Sequence, residues 1–332
     1  HPVSVQSRGS GILGVNRLGM GLIGVARNGI EMLGDEVRAQ PGDLEKVARI
    51  RLPLAPRGAI FVGAGDSYAA ALAAQYASDA ALRAVDPYVL ATQPQMAKSQ
   101  EVFFISVSGR TSSNLQAARK VRGIAKKTTA VTAVPDSPLG KLTNRTMPLP
   151  MKYAPKTPGM LSFCLSLLVV LKLARGDVIC DFPNVFARAE LDSKRIGFAK
   201  GTTYFLGNSL AFPAAVYGAA KTYELLGTKS HAELLEEFSH LQLFSLDKSD
   251  VVNAFGAFDP ASLGKKLTKA LKEGGYSTSL VHGWGSNYAE RLFHTIFTIQ
   301  LSVLRESRRR GLTEPKFLSS RGKLSTSDEM IY

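Results

Sequence analysis

Residues 102–114 read VFFISVSGRTSSN. The apolar run Val102 to Ile105 stops at a turn of small hydroxyl residues: Ser106, Ser108, Thr111, Ser112 and Ser113, with Gly109 among them. A helix is predicted from Asn114 to Val121. A buried strand, a tight hydroxyl-rich turn and a helix start direct backbone N–H groups and the positive end of a helix dipole at one spot. Serine and threonine hydroxyls add donors. Such a turn suits a phosphate or a carboxylate. The same pattern also fits an ordinary strand–turn–helix with a serine cap.

A second turn of this kind lies upstream. Ala59 to Val62 reads as a short strand, followed by Gly63-Ala-Gly65-Asp66-Ser67 and an alanine-rich helix from Tyr68 to Ala81. The glycine needed nearby for a dinucleotide fingerprint is absent. Further strands are expected at Tyr88–Thr92, Thr128–Val134 and Met147–Leu149, with helices between them. That alternation predicts a parallel sheet with helices on both faces, whose ligands bind beyond the carboxyl ends of the strands. Both hydroxyl-rich turns fall on that rim.

After a buried helix at Leu161–Leu173 the composition breaks around Gly176 to Pro183, and a helix is expected over Val185–Ala199. The opening pattern then recurs: a strand at Thr202–Leu206, a turn at Gly207-Asn208-Ser209, a helix at Pro213–Leu226. Val251–Phe255, Ser279–His282 and the helix Asn287–Arg305 complete a second sheet-and-helix unit. The expected organisation is an extension of unassigned role over 1–34, a first α/β domain over 35–183 and a second over 184–332. Within 9–33, Leu18 to Leu33 reads as a packing helix, and Arg8, Arg17 and Arg27 make the segment too charged for a signal-peptide core. The lead-in helix is expected at Glu36–Ile50, with Pro41 in its first turn.

Composition narrows the function classes. The chain has 332 residues, 45% of them hydrophobic, and two cysteines, too few for a disulfide framework or a cysteine metal site. Cys164 sits in an apolar run. The net charge of +14 attracts anions in general. No zinc-finger spacing or aromatic-glycine RNA motif accompanies it, so a solvated basic surface is expected rather than a nucleic-acid site. No apolar run is long enough to span a membrane. A cytoplasmic protein without metal or cofactor is the expectation.

The second half carries the other candidate groups. Lys221 and Glu224 lie three apart on one helix face. Ser230-His231-Ala-Glu233 and Glu236-Glu237-Phe-Ser-His240 follow, an acidic cluster holding two of the chain's five histidines. Alone it fits an exposed acidic helix that balances a basic protein.

Taken in order, these segments resemble the SIS (sugar isomerase) family, in particular the isomerase half of glucosamine-6-phosphate synthase and free-standing deaminase relatives. Glu36-Val-Arg-Ala-Gln40-Pro41 is similar to the family's E-I-x-x-Q-P. Gly63-Ala-Gly-Asp-Ser67-Tyr68 is similar to G-C-G-T-S-Y, and Ser106-Val-Ser108-Gly109-Arg-Thr111 to S-x-S-G-x-T. Phe205-Leu-Gly207, Gly218-Ala-Ala-Lys221-Thr-Tyr-Glu224 and Glu237-Phe-Ser-His240 are similar to F-L-G, G-A-L-K-L-K-E and E-F-x-H. The match runs from about residue 35 to the C-terminus. It implies two SIS domains, each a parallel sheet flanked by helices in a flavodoxin-like sandwich, and a sugar-phosphate substrate. Ser67, Ser106, Ser108 and Thr111 would hold the phosphate. Glu224 would move a proton between C1 and C2. Lys221 would support it, and His240, supplied by the other subunit of a homodimer with a shared site, would assist ring opening.

Several positions depart from the family pattern. Asp66 stands where the family has threonine, and a carboxylate there repels phosphate unless it points away. Arg110 could add a bidentate phosphate contact; with Gly65 and Lys323 it joins the secondary candidates. Thr157-Pro158-Gly159-Met160 is closer to the phosphoglucose/phosphomannose isomerase branch. Ser320 replaces the tail lysine of the synthases, with Lys316 or Lys323 as substitutes. An isomerising glucosamine-6-phosphate deaminase or related amino-sugar enzyme is expected first. A phosphoglucose/phosphomannose isomerase and a non-catalytic sugar-phosphate sensor are the alternatives.

Overall fold

The computed structural model describes residues 28–332. The proposed segment at 9–33 lies largely outside the described residues. What is described of it starts α1 (Gly29–Ala48), capped by the Asn28 side chain, which accepts from the Glu31 N–H at 2.9 Å. The lead-in helix therefore starts earlier than expected, and Pro41 sits inside it rather than in its first turn. An internal proline costs a helix about 3 kcal/mol. Here Ile30, Leu33, Val37, Leu44 and Val47 bury a full face of α1 and hold the helix through it.

The first sheet contains β1 (Ile60–Val62), β2 (Arg83–Val85), β3 (Glu101–Ile105), β4 (Lys127–Thr132) and β5 (Arg145–Pro148), all parallel, in the order β2-β1-β3-β4-β5. Between them run α2 (Asp66–Ala77), α3 (Pro87–Thr92), α4 (Ser112–Val121) and α5 (Pro138–Leu142). Next come α6 (Leu161–Arg175) and α7 (Phe182–Asp192). The second sheet contains β6 (Thr203–Gly207), β7 (Ser230–Glu233), β8 (Val251–Phe255) and β9 (Ser277–Val281), again parallel, in the order β7-β6-β8-β9. Its helices are α8 (Ala211–Lys221), α9 (Leu235–His240), α10 (Leu263–Glu273) and α11 (Tyr288–Arg309). The tail forms α12 (Lys316–Ser319) and α13 (Arg321–Ile331). Second strand, first strand, third, fourth is the order in both sheets, the doubly wound pattern that the alternation of strands and helices predicts.

Alternating side chains along the strands build the layers. Phe61, Phe103, Ile105, Phe205, Phe255 and Val281 join one continuous core with α1, α2, α6, α7, α8 and α11. Ile60, Val62, Val102 and Phe104 point the other way, toward Leu90, Ala117 and Val121. Tyr204, Leu206, Val252 and Ala254 do the same in the second sheet, toward Leu235, Phe238 and Leu271. Strands covered on both faces read as unbroken apolar runs. The two sheets thus share one middle layer of helices and one core.

Three expected elements change. Tyr88–Thr92 is helix rather than strand, because the Asp86 carboxylate accepts from the N–H groups of Tyr88 and Val89 and Pro87 takes the first helical position. The strand lies just before it, at Arg83–Val85. Ser230–Glu233 is a sheet strand rather than part of an acidic helix, since its backbone pairs with β6 and Ser230 is buried. The helix expected over Val185–Ala199 begins at Phe182, capped by Asp181, and gives way at Ser193 to a short 3₁₀ turn.

Candidate functional site

β3 ends at Ile105, but Ser106 extends the ladder by donating its N–H to Val131 at 3.0 Å. The chain then turns. Gly109 has φ +61°, and a Cβ there would collide with Ser137. Its N–H donates to the Ser106 carbonyl at 3.0 Å, the Arg110 N–H donates to Ser108 Oγ at 3.2 Å, and the Ser106 and Thr111 hydroxyls lie 3.3 Å apart. Thr111 caps α4 without spending its side chain on the helix. The first-turn N–H groups of α4 have no intrahelical partner and face the turn.

The equivalent turn after β1 is equally constrained. A Cβ on Gly63 would lie 2.5 Å from the Ser67 backbone, and Gly65, at φ +57°, caps α2. Gly207, the last residue of β6, stands in the same relation to Ala211 at 2.6 Å. Each sheet therefore needs a glycine where its first helix folds back on its first strand. The alanines of α2 let it pack closely on α6 and α8. That brings Asp66, at the start of α2, to Lys221, at the end of α8.

Lys221 is fully buried, and its ammonium donates to Asp66 Oδ2 at 2.7 Å and to Glu224 Oε2 at 2.5 Å. The first contact spans the two halves of the chain. An acid at a helix start and a base at a helix end also suit the two dipoles. Glu224 stands on a π-helical turn, Thr222–Leu226, that continues α8. Such turns commonly occur at functional sites. Burial lowers the Lys221 pKa, but the two carboxylates override it and hold that pKa above the ordinary lysine value. Burial pushes Glu224 up to about 7, with Lys221 pulling it down and Asp66 pushing it up. About a third of the Glu224 side chain is exposed (33%), and it lines a cavity.

That cavity has a volume of about 700 Å³. Its wall brings together Ser67, Ser106, Ser108, Thr111 and Glu224. Asn114 Oδ1, Ser166 Oγ and Asp66 Oδ1 belong to lining residues and are buried without a partner in the protein. The segment Met151–Gly159 and the tail close the cavity from outside, tied together by Lys156 and Asp328 at 3.1 Å. Lys316, Ser320 and Lys323 also line it. Beneath, Tyr217 stacks on Phe163 and donates to the Gly159 carbonyl at 2.9 Å, while Glu36 accepts the Leu161 N–H at 2.9 Å. These bonds fix the Pro158-Gly159 segment against Asp66.

Some candidates lie elsewhere. His240 is exposed on α9, 3.3 Å from Glu236, and is not part of the cavity wall. His231 is half-exposed on β7, near Gln242. Arg110 is exposed beside Tyr153 rather than turned into the cavity, and Gly65 shapes the turn without lining it. Conversely, Tyr153, Asn114, Ser162 and Ser166 line the cavity unannounced. Only Asn114, at the helix start, carried a local signal. Among the described residues there is no cluster of three metal-binding side chains, and no helix is long and apolar enough to cross a membrane.

No family model matches the chain, and no curated protein matches it. Solved structures do. Glucosamine-6-phosphate deaminase from Thermotoga maritima superposes with TM-score 0.70 at 21% identity, over 84% of this chain and 95% of that one. Tagatose-6-phosphate ketose/aldose isomerase from Escherichia coli gives TM-score 0.62 at 18% identity, over 85% and 90%. The C-terminal domain of glucosamine-fructose-6-phosphate aminotransferase from Francisella tularensis gives 0.59 at 18%, over 83% and 94%. The chain shares the fold of solved phosphosugar isomerases and related proteins, as the order of its motifs led one to expect.

Proposed function

We propose that this chain is a sugar-phosphate aldose–ketose isomerase acting on a hexose 6-phosphate, in the first place an isomerising glucosamine-6-phosphate deaminase or a related amino-sugar enzyme. One observation carries the proposal: a hydroxyl-rich anion turn and a carboxylate with a pKa near neutrality share one cavity of about 700 Å³. The turn and the α4 start hold the phosphate. That remote anchor orients C1 and C2 for the base. Glu224 takes the C2 proton of the open-chain sugar and returns it to C1, a single carboxylate serving both carbons. With a 2-amino sugar the product is the 2-imine, which water hydrolyses to ketose phosphate and ammonia. A base whose pKa lies near the working pH is suited to both halves of the transfer.

A non-catalytic sensor needs the turn but not the Lys221–Glu224 pair. The phosphoglucose/phosphomannose alternative drew on the Thr157-Pro158-Gly159-Met160 segment and on the missing tail lysine at Ser320; Lys316 and Lys323 in the cavity wall weaken the second ground. His240 fits the reading as a group given to a second copy's cavity. It lies beside Leu241 (59% exposed) and near Phe244 (85% exposed), apolar side chains suited to a self-contact. A homodimer with a shared site and two SIS-type halves in each chain belong to the same proposal. The test is incubation with glucosamine 6-phosphate, glucose 6-phosphate and mannose 6-phosphate in turn, following ammonia and fructose 6-phosphate. Ammonia together with fructose 6-phosphate from the first supports the deaminase. Fructose 6-phosphate from the others alone selects the neutral-sugar isomerase. Saturable binding without product overturns the enzyme reading.

A further inference from the structure

We propose that Asp66 is a positioning residue: it shares the buried Lys221 ammonium with Glu224 and so keeps Glu224 free to exchange a proton. This rests on the reading of Glu224 as the proton-transfer group. The carboxylate looks misplaced in the sequence, in the first turn of a helix beside an anion turn. The structure turns it the other way. Its Oδ2 accepts from Lys221 at 2.7 Å, and the space around it is reserved, because a Cβ on Gly159 would collide with that oxygen. Gly159 is in turn pinned by the Tyr217 hydroxyl at 2.9 Å, and Gln300 donates to that hydroxyl at 2.9 Å. A chain of fixed contacts from α11 through α8 to the Pro158-Gly159 segment before α6 thus holds Asp66 on the lysine.

The consequence is electrostatic. One cation between two carboxylates neutralises only one of them. Without Asp66, Lys221 would belong wholly to Glu224, and a tight lysine–glutamate pair keeps its carboxylate ionised and weakly basic. With Asp66 present, the group carries one surplus negative charge that a proton on Glu224 removes. Other titratable groups share its surroundings. Lys221 and Tyr217 come from α8 and Tyr223 from the π turn, while Lys316 from α12, Lys323 and Asp328 from α13, and Lys156 from the segment before α6 line the same cavity wall; α11 contributes the uncharged Gln300 against Tyr217. Burial raises Glu224's pKa most; among the charged groups, Lys221 lowers it and Asp66 raises it.

The experiment reads the carboxyl directly, so it stands whether or not a substrate turns over. The protein is labelled with ¹³C at the glutamate side-chain carboxyl, and the Glu224 resonance is assigned by its loss in Glu224→Gln. Its titration is then followed in the wild type and in Asp66→Asn and Asp66→Thr. Both variants remove the charge, the first keeping the shape and the second supplying the hydroxyl of the related motif. The expected result is a midpoint about one to two pH units lower in either variant. If a substrate is turned over, the acidic limb of kcat/KM moves down with it. An unchanged midpoint in a folded variant overturns the proposal, even if activity falls. A lowered midpoint in a protein that converts none of the sugar phosphates supports the role of Asp66 and refutes the isomerase reading instead.

Discussion

Replacing Glu224 by glutamine removes one charge from a buried group of three and leaves its shape. The pKa of Glu224 rises from 4.5 to about 7 on folding. A carboxylate raised in this way binds its proton more tightly in the native state than in the unfolded chain. Its contribution to stability is complete below the unfolded value and is lost as pH rises through the folded one. At about 1.4 kcal/mol per pH unit the interval corresponds to about 3 kcal/mol. The carboxylate faces an open cavity, whose solvent screens part of this and leaves on the order of 2 kcal/mol. Glu224→Gln does not titrate and escapes that loss. Relative to the wild type it therefore gains on the order of 2 kcal/mol between pH 4.5 and pH 8, a few degrees in Tm for a chain of this size. Its kcat falls by about 10²–10⁴, the usual contribution of a positioned acid–base group. Binding of the sugar phosphate persists, because the anion turn is untouched. Thermal melts of both proteins across that pH range, with turnover at pH 7.5, check this. A stability difference that does not grow with pH, or a variant with wild-type kcat, refutes the reasoning.

Three other outcomes are expected. Ser106→Ala combined with Ser108→Ala removes two hydroxyls from the anion turn, and calorimetry with a hexose 6-phosphate should show affinity at least tenfold weaker; a change under twofold removes the turn from the binding site. Phe244→Asp places a charge in the exposed apolar surface beside His240, and sedimentation should show a dimeric wild type and a monomeric variant; a wild type that stays monomeric at tens of micromolar refutes the shared site. His294 is buried against Asp192, and burial lowers its pKa below 6.5 although Asp192 pulls the other way. A depressed histidine leaves stability intact above the unfolded pKa and loses it as pH falls below that value. The stability difference between wild type and His294→Gln should therefore narrow between pH 7 and pH 5, and a constant difference counts against the assignment.

The strands were legible because both sheets are covered on both sides. Val102 to Ile105 and Val251 to Phe255 have no solvent face, so runs that are apolar throughout, or in the second case but for the buried Asn253, marked them directly. The short edge strands β2 and β7 were not. Ser230–Glu233 has one buried and three partly or fully exposed residues, and it pairs with β6 alone, so its polar composition hid it. Tyr88–Thr92 misled because its valine and tyrosine favour strands, whereas the Asp86-Pro87 cap decided the outcome. In the cavity, the hydroxyls of the two turns could be found locally, since each lies at a strand end. The partner of Lys221 could not. Asp66 lies 155 positions away, and only the packing of α2 on α8 brings them together.

The two halves share a strand order but not a chemistry. After β3 the chain continues Ser-Val-Ser-Gly-Arg-Thr and opens α4 onto the cavity. After β8, the equivalent strand, it continues Gly256-Ala-Phe-Asp-Pro, without the hydroxyl series. The second half instead lengthens the helix after its first strand by one π turn, and that turn carries Glu224. One copy of the unit thus presents anion-binding donors and the other presents a base. They meet because the helices that follow the two first strands, α2 and α8, lie in one middle layer, the start of one beside the end of the other. Separating the sheets into independent bodies would divide Asp66 from Lys221 and so lose the one ion pair of this group that joins the two halves. The same contact that shapes the site therefore helps to hold the halves together, and a change in Asp66 should be felt in stability and in proton transfer at once.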